Sequence, residues 1–188
     1  MRDWETLREA CLACTACELC RSRTNVVFGT GDRNAKLMFI GEAPGEQEDL
    51  SGIPFVGAAG KLLDDLLVSV GLSRERVYIA NILKCRPPHN RDPLPAEQDA
   101  CLPFLREQTA LLAPRMIVCV GRIAACKLID PNFKIMRQHG EWIERKNVLM
   151  TAVLHPSALL RDQSKRPDAF MDLRALRKEI KAVCDGVY

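Results

Sequence analysis

At 188 residues the chain has the length of one compact domain, and 47% hydrophobic with 27% charged residues excludes a disordered or membrane-embedded class. A net charge of +3 permits nucleic-acid binding without demanding it. A domain of this size buries roughly 70% of its unfolded surface without disulfides.

The amino-terminal residues carry scattered charges rather than the apolar run of a secretory signal. No segment reaches the roughly 18 apolar residues of a membrane-spanning helix. A cytoplasmic chain with no membrane association is expected, and in a reducing compartment nine cysteines point to metal binding or catalysis.

In chain order, Cys11, Cys14, Cys17 and Cys20 come first, at intervals of three that give overlapping C-x2-C pairs. A nearly continuous apolar run at 36–41 predicts a strand buried on both faces. It is followed by Gly41-Glu42-Ala43-Pro44-Gly45. Helical spacing over 58–70 leads to a second strand at 77–81, which ends on Asn81. Residues 85–95 hold four prolines and predict a long ordered loop. A helix at 96–112, a strand at 116–121, a helix at 123–129 and a strand at 148–154 follow. His155-Pro156-Ser157 comes directly after the last strand. An irregular basic stretch at 161–167 and a helix at 169–183 end the chain.

This alternation implies one domain over 1–188, an α/β/α three-layer sandwich around a mostly parallel, roughly four-stranded sheet. Ligands in such sheets gather at the strand carboxyl ends, so the loops after 36–41, 77–81 and 148–154 are expected to share a pocket. Cys85 and Cys101 can supply a second pair to the amino-terminal cysteines, and such a four-cysteine site suits zinc or a [4Fe-4S] cluster. Cys119, Cys126 and Cys184 read as small buried hydrophobes.

These motifs resemble the family-4 uracil-DNA glycosylases over nearly the whole chain, from Cys14 to about Arg177. The resemblance rests on Cys14-x-x-Cys17 before Arg23-Thr24-Asn25, on Gly41 through Asp49, and on Pro54-Phe55-Val56-Gly57. It continues through Tyr78-Ile79-Ala80-Asn81, Lys84-Cys85-Arg86-Pro87-Pro88 and His155-Pro156-Ser157-Ala158-Leu159-Leu160-Arg161.

The resemblance implies a monofunctional glycosylase that releases uracil from single- or double-stranded DNA. It also implies a structural [4Fe-4S] cluster on Cys14, Cys17, Cys85 and Cys101, with Cys11 and Cys20 as spares. A monomer is expected.

A flipped base must be read in a pocket, and each matched residue has a chemical reason to be there. The Asn81 amide can accept from uracil N3–H and donate to O4, a pattern that cytosine reverses. Phe55 can stack on the base. Glu48 matches the position beside uracil C5, where it would exclude the thymine methyl, although Glu46 through Asp49 also reads as a solvated acidic loop. His155 can donate to uracil O2 as charge grows there. The glycine-rich loop with Gly41 and Ala43 can turn amides toward the same oxygen. In the better-known branch of the superfamily an aspartate water-activator stands where Ala43 stands here, so Glu42 is the nearest carboxylate able to orient water or offset the sugar cation.

For DNA, Ser157, Leu159, Leu160 and Arg161 suit a wedge entering the duplex. Arg86, Arg91, Lys165 and Arg166 suit phosphate contacts. Two rival readings remain at this level: a covalent uracil-DNA binder using His89, and a non-catalytic nucleic-acid module with a four-cysteine metal site.

Overall fold

In the computed structural model, described for residues 3–184, a single sheet runs in the order β1-β3-β2-β4-β6-β5. Its strands are β1 (Thr30–Gly31), β2 (Leu37–Gly41), β3 (Tyr78–Asn81), β4 (Met116–Val120), β5 (Trp142–Arg145) and β6 (Val148–Val153). The four predicted strands form its parallel centre, where β2 pairs with β3 and β4, and β4 with β6. Two antiparallel edge strands, β1 on β3 and β5 on β6, enlarge the expected four to six. Both edges are short, and β5 is half-buried or exposed along its length, so neither shows the apolar run by which a central strand is read.

Alternation along each strand splits the core into two layers. Leu37 and Phe39 of β2 pack with Leu63 and Leu67 of α3 (Ala58–Ser69). Leu173, Leu176 and Ile180 of α8 (Arg166–Val183) complete that side. Met38 and Ile40 face the other way, toward Leu102 and Leu105 of α4 (Pro95–Leu112) and Ala124 and Ala125 of α5 (Arg122–Leu128). The three-layer sandwich is therefore as expected.

Four shorter helices lie outside the sequence expectations. They are α1 (Trp4–Leu12), α2 (Glu46–Ser51), α6 (Ile135–Gln138) and α7 (Pro156–Arg161). The last helix also starts earlier than its apolar spacing suggested, at Arg166, because Pro167 in a first turn forfeits no helical hydrogen bond.

The segment between α1 and β1 is tied down by polar contacts. Arg23 donates to the Cys14 carbonyl at 2.8 Å. The buried Asp49 carboxylate accepts from the Thr24 amide at 2.9 Å, and Asn25 returns a bond to the Asp49 carbonyl at 2.8 Å. The Arg-Thr-Asn motif thus fastens the amino-terminal cysteines to α2, the short helix that follows β2.

Candidate active site

Because β2, β3, β4 and β6 run parallel, their carboxyl ends open on one edge, where a cavity of about 510 Å³ is lined by Glu42, Asn81, Gly121 and His155. Phe55, Glu48 and the Ala43–Gly45 turn close its wall. All three strand-end segments expected to converge do so.

Asn81 sits at the floor, buried, and its Oδ1 is without a hydrogen-bond partner. An unpaired buried acceptor costs ~1–3 kcal/mol, so it signals a place where a donor from outside belongs. Gly41 makes this geometry possible, since any side chain there would collide with Asn81 Oδ1 and the Phe55 ring.

His155 caps α7, and its Nδ1 accepts from the Ser157 amide at 3.1 Å. Nδ1 is therefore the unprotonated nitrogen, and the neutral ring carries its proton on Nε2. Burial first, then the Arg161 charge, pushes the pKa down to about 4, with Glu48 opposing. Gly121 (φ +95°) lies against the His155 side chain, 2.9 Å from where its own Cβ would be, so only glycine fits.

The Phe55 ring centroid lies 5.8 Å from that of His155, with the planes 32° apart. Phe55 is held at φ +54°, in the left-handed region. Arg74 fixes this turn by donating to the Pro54 carbonyl at 2.7 Å and to the Phe55 carbonyl, while pairing with Asp64. Gly60 of α3 lets the helix backbone approach the same carbonyl.

Glu42 has its pKa pushed up to about 7, by burial and then by the Asp92 carboxylate, with Arg122 pulling the other way. Arg122 is ion-paired to Asp92 at 3.0 Å. Glu48 lines the cavity, yet both its oxygens are taken: Oε1 accepts from the amides of Val56 and Gly57 at 2.8 Å, and Oε2 from Gly45 at 3.0 Å. This carboxylate laces the Gly45 turn to the Phe55 turn rather than standing in solvent.

Around the mouth, the expectations divide. Ser157 and Arg161 line the cavity and Leu160 is exposed. Leu159 is wholly buried against Leu154 and Ala169, so it is a core residue and not half of a wedge. Arg91 forks onto Glu97 at 2.9 and 2.6 Å, and Arg86 donates to Asn90 at 2.8 Å. Both guanidiniums organise the loop before α4. Lys165 and Arg166 lie at the surface and Arg166 is exposed, whereas His89 is exposed and outside the cavity lining. Asp92, Gly121 and Arg122 were not singled out in the sequence; their place directly after β4, or in the loop following β3, was the available signal.

Six of the nine cysteines, Cys11, Cys14, Cys17, Cys20, Cys85 and Cys101, ring a separate small gap. Among the described residues no three His, Cys, Asp or Glu side chains close on one point as a single-ion site would require. Three of the thiols accept from N–H donors: Cys85 from Arg23 at 3.3 Å, Cys101 from the Lys84 amide at 3.2 Å, and Cys14 from the Ala16 amide at 3.5 Å. Burial raises the pKa of Cys85, lifts Cys101 to about 11 and Cys11 to about 12, so unligated they hold their protons. Cys119 and Cys184 are buried core residues.

The family model described as the uracil DNA glycosylase superfamily matches residues 28–177. The chain is 44% identical over 184 residues to a type-4 uracil-DNA glycosylase of Archaeoglobus fulgidus, covering 94% of this chain and 92% of that protein. It is 46% identical over 164 residues to one of Thermotoga maritima, covering 85% and 84%. With one of Sulfurisphaera tokodaii the identity is 38% over 187 residues, covering 95% and 85%.

Proposed function

From a chain that belongs to the uracil-DNA glycosylase superfamily, and within it to the type-4 enzymes, we propose a DNA-repair hydrolase whose site residues act as follows. It excises uracil from DNA, breaking the C1′–N1 bond and leaving an abasic site. The observation that carries the residue assignment is the buried, unpartnered Asn81 Oδ1. Uracil N3–H supplies the missing donor, whereas cytosine presents an acceptor there. Phe55 stacks on the flipped base from a turn too constrained to move aside.

As the glycosidic bond lengthens, negative charge grows on the uracil ring. The Nε2–H of neutral His155 donates to O2 and holds that charge without a proton having to leave the protein. Ionised Glu42 orients the water that adds to C1′ and offsets the cationic sugar. The proton lost by the water passes to Glu42 and finally to the departed uracil. Leu160 and Arg161, at the mouth, meet the DNA around the gap that the base leaves.

Cys14, Cys17, Cys85 and Cys101 would hold a [4Fe-4S] cluster. The N–H donors aimed at three of these sulfurs suit thiolates, and binding iron replaces protons that burial otherwise holds in place. Bound there, it would tie the amino-terminal segment to the loop before α4 through Cys85 and to α4 itself through Cys101. The enzyme acts as a monomer on uracil-containing DNA, single- or double-stranded, in the cytoplasm. Among the described residues no helix is long and apolar enough to cross a membrane.

One denaturing gel tests the reading. Incubation with a uracil-containing oligonucleotide followed by alkali should cut the strand at the uracil and leave no protein-linked DNA. A shifted adduct band would instead favour covalent trapping, and an intact strand would favour a binding module.

A further inference from the structure

A lysine is sealed in the interior between the two sites. Lys84 is 1% exposed, and its Nζ donates to the Asn81 carbonyl at 2.9 Å and to Gln108 Oε1 at 2.7 Å. Both acceptors are neutral. Gln108, itself fully buried, is committed in turn to the Phe28 carbonyl at 2.9 Å and the Tyr78 hydroxyl at 3.1 Å. An ammonium taken out of water calls for a counter-charge, because neutral acceptors do not replace its lost hydration.

The groups beside Lys84 that can carry negative charge are the cysteines. The Lys84 amide donates to Cys101 Sγ, Cys85 is the next residue, and Lys84 lines the same gap as Cys11, Cys85 and Cys101. Four thiolates carry more charge than the iron–sulfur core they bind, so the loaded site is an anion beside this cation. The same ammonium grips the backbone of the residue whose side-chain amide faces the uracil cavity.

We infer that Lys84 couples the two sites: its ammonium balances the thiolate-bound cluster, and its hydrogen bond to the Asn81 carbonyl holds that residue in register to meet uracil N3–H. Lys84 is a positioning residue, since it touches neither base nor sugar. The inference rests on the cluster and Asn81 assignments given under Proposed function.

The test uses the full chain purified anaerobically. Lys84→Met keeps the length of the side chain while deleting its charge and its donor. With four irons retained, its kcat for uracil release should fall on the order of tenfold to a hundredfold, the scale of a small misplacement at a reacting centre. KM and binding to abasic-site DNA should change little. Film voltammetry should place its cluster potential below the parent's, because loss of a nearby cation disfavours the reduced form. Parental kcat and potential in this iron-loaded variant would overturn the coupling and leave the glycosylase reading intact.

Should Lys84→Met not fold, Gln108→Glu approaches from the other side, setting a carboxylate against the ammonium without removing it. The potential should again move negative, and an unmoved potential would overturn the inference. A parent that carries no iron, or an Asn81→Ala variant with parental kcat, would sink the underlying assignment and the coupling with it.

Discussion

The Ser157 amide donates to His155 Nδ1 across 3.1 Å, and this one bond decides which imidazole nitrogen faces the cavity with a proton. Replacing His155 with Ala removes that donor. Uracil release measured in a single turnover should slow by ~10²–10³, the scale for one lost oxyanion-type donor, while affinity for abasic-site DNA changes little. A His155→Ala enzyme with the parental single-turnover rate would exclude the ring from the chemistry.

Glu42 and His155 titrate far apart, and the separation shapes the pH dependence. Glu42, raised to about 7, must lose its proton to orient water, so kcat should climb as pH rises through about 7. His155, lowered to about 4, is already neutral there and contributes no limb in that range. Glu42→Gln should flatten the climb at a low rate. Asp92→Asn removes the like charge that helps hold the Glu42 pKa up, so the climb should shift to lower pH. Folding binds the Glu42 proton more tightly than the unfolded chain does, a contribution fully present at acidic pH and lost as pH rises through about 7. Glu42→Gln should therefore raise the melting temperature more at pH 8 than at pH 5. A climb that survives Glu42→Gln unchanged would assign it to another group.

How much of this was legible follows from what kind of signal each residue leaves. The central strands announce themselves as apolar runs, and the residues just beyond their carboxyl ends, Asn81 and His155, become site candidates by topology alone. Phe55 was found, but not the left-handed turn or the Arg74 grip that fixes it, since a backbone angle set by a residue 19 positions away has no local pattern. Leu159 and Leu160 are indistinguishable in sequence; only the docking of α7 on α3 and α8 decides that one is core and the other surface. Lys84 enters the sequence reading only as part of a motif, because nothing in its neighbours shows that the fold closes over it.

Glu48 accepts three backbone amides, which adds a structural cost to the steric role expected of it at uracil C5. Glu48→Ala should enlarge the cavity and raise release of 5-substituted uracils relative to uracil. It should also lower the melting temperature, because three half-buried amides lose their acceptor, each at a cost of up to ~1–3 kcal/mol. Glu48→Gln, which keeps an acceptor for Val56 and Gly57, should recover much of the stability and most of the discrimination. If Glu48→Ala melts early yet keeps parental ratios across a series of 5-substituents, the carboxylate serves only to lace the two turns together.

Four cysteines spaced by three offer three adjacent pairs, and the structure brings all of them to one gap. Their surroundings differ. Cys11 is 1% exposed and packs with Leu7, Leu19 and Phe28, as a small hydrophobe does, whereas Cys14 accepts the Ala16 amide and contributes the carbonyl that Arg23 grips while reaching for Cys85. Arg23, which also donates to the Leu12 carbonyl, thus ties the amino-terminal segment at residues 12–14 to Cys85 of the distal pair. Expressed and purified anaerobically, Cys14→Ser, Cys17→Ser, Cys85→Ser and Cys101→Ser should each lower iron content, bleach the brown absorbance and destabilise the fold. Cys20→Ser and Cys11→Ala should keep four irons per chain; alanine is the better choice at Cys11, because a hydroxyl there would be buried without a partner. Loss of iron in Cys20→Ser, with iron retained in Cys14→Ser, would move the register by one step. Stoichiometric zinc in place of iron would overturn the cluster assignment and leave Asn81, Phe55 and His155 to stand on the geometry of their own cavity.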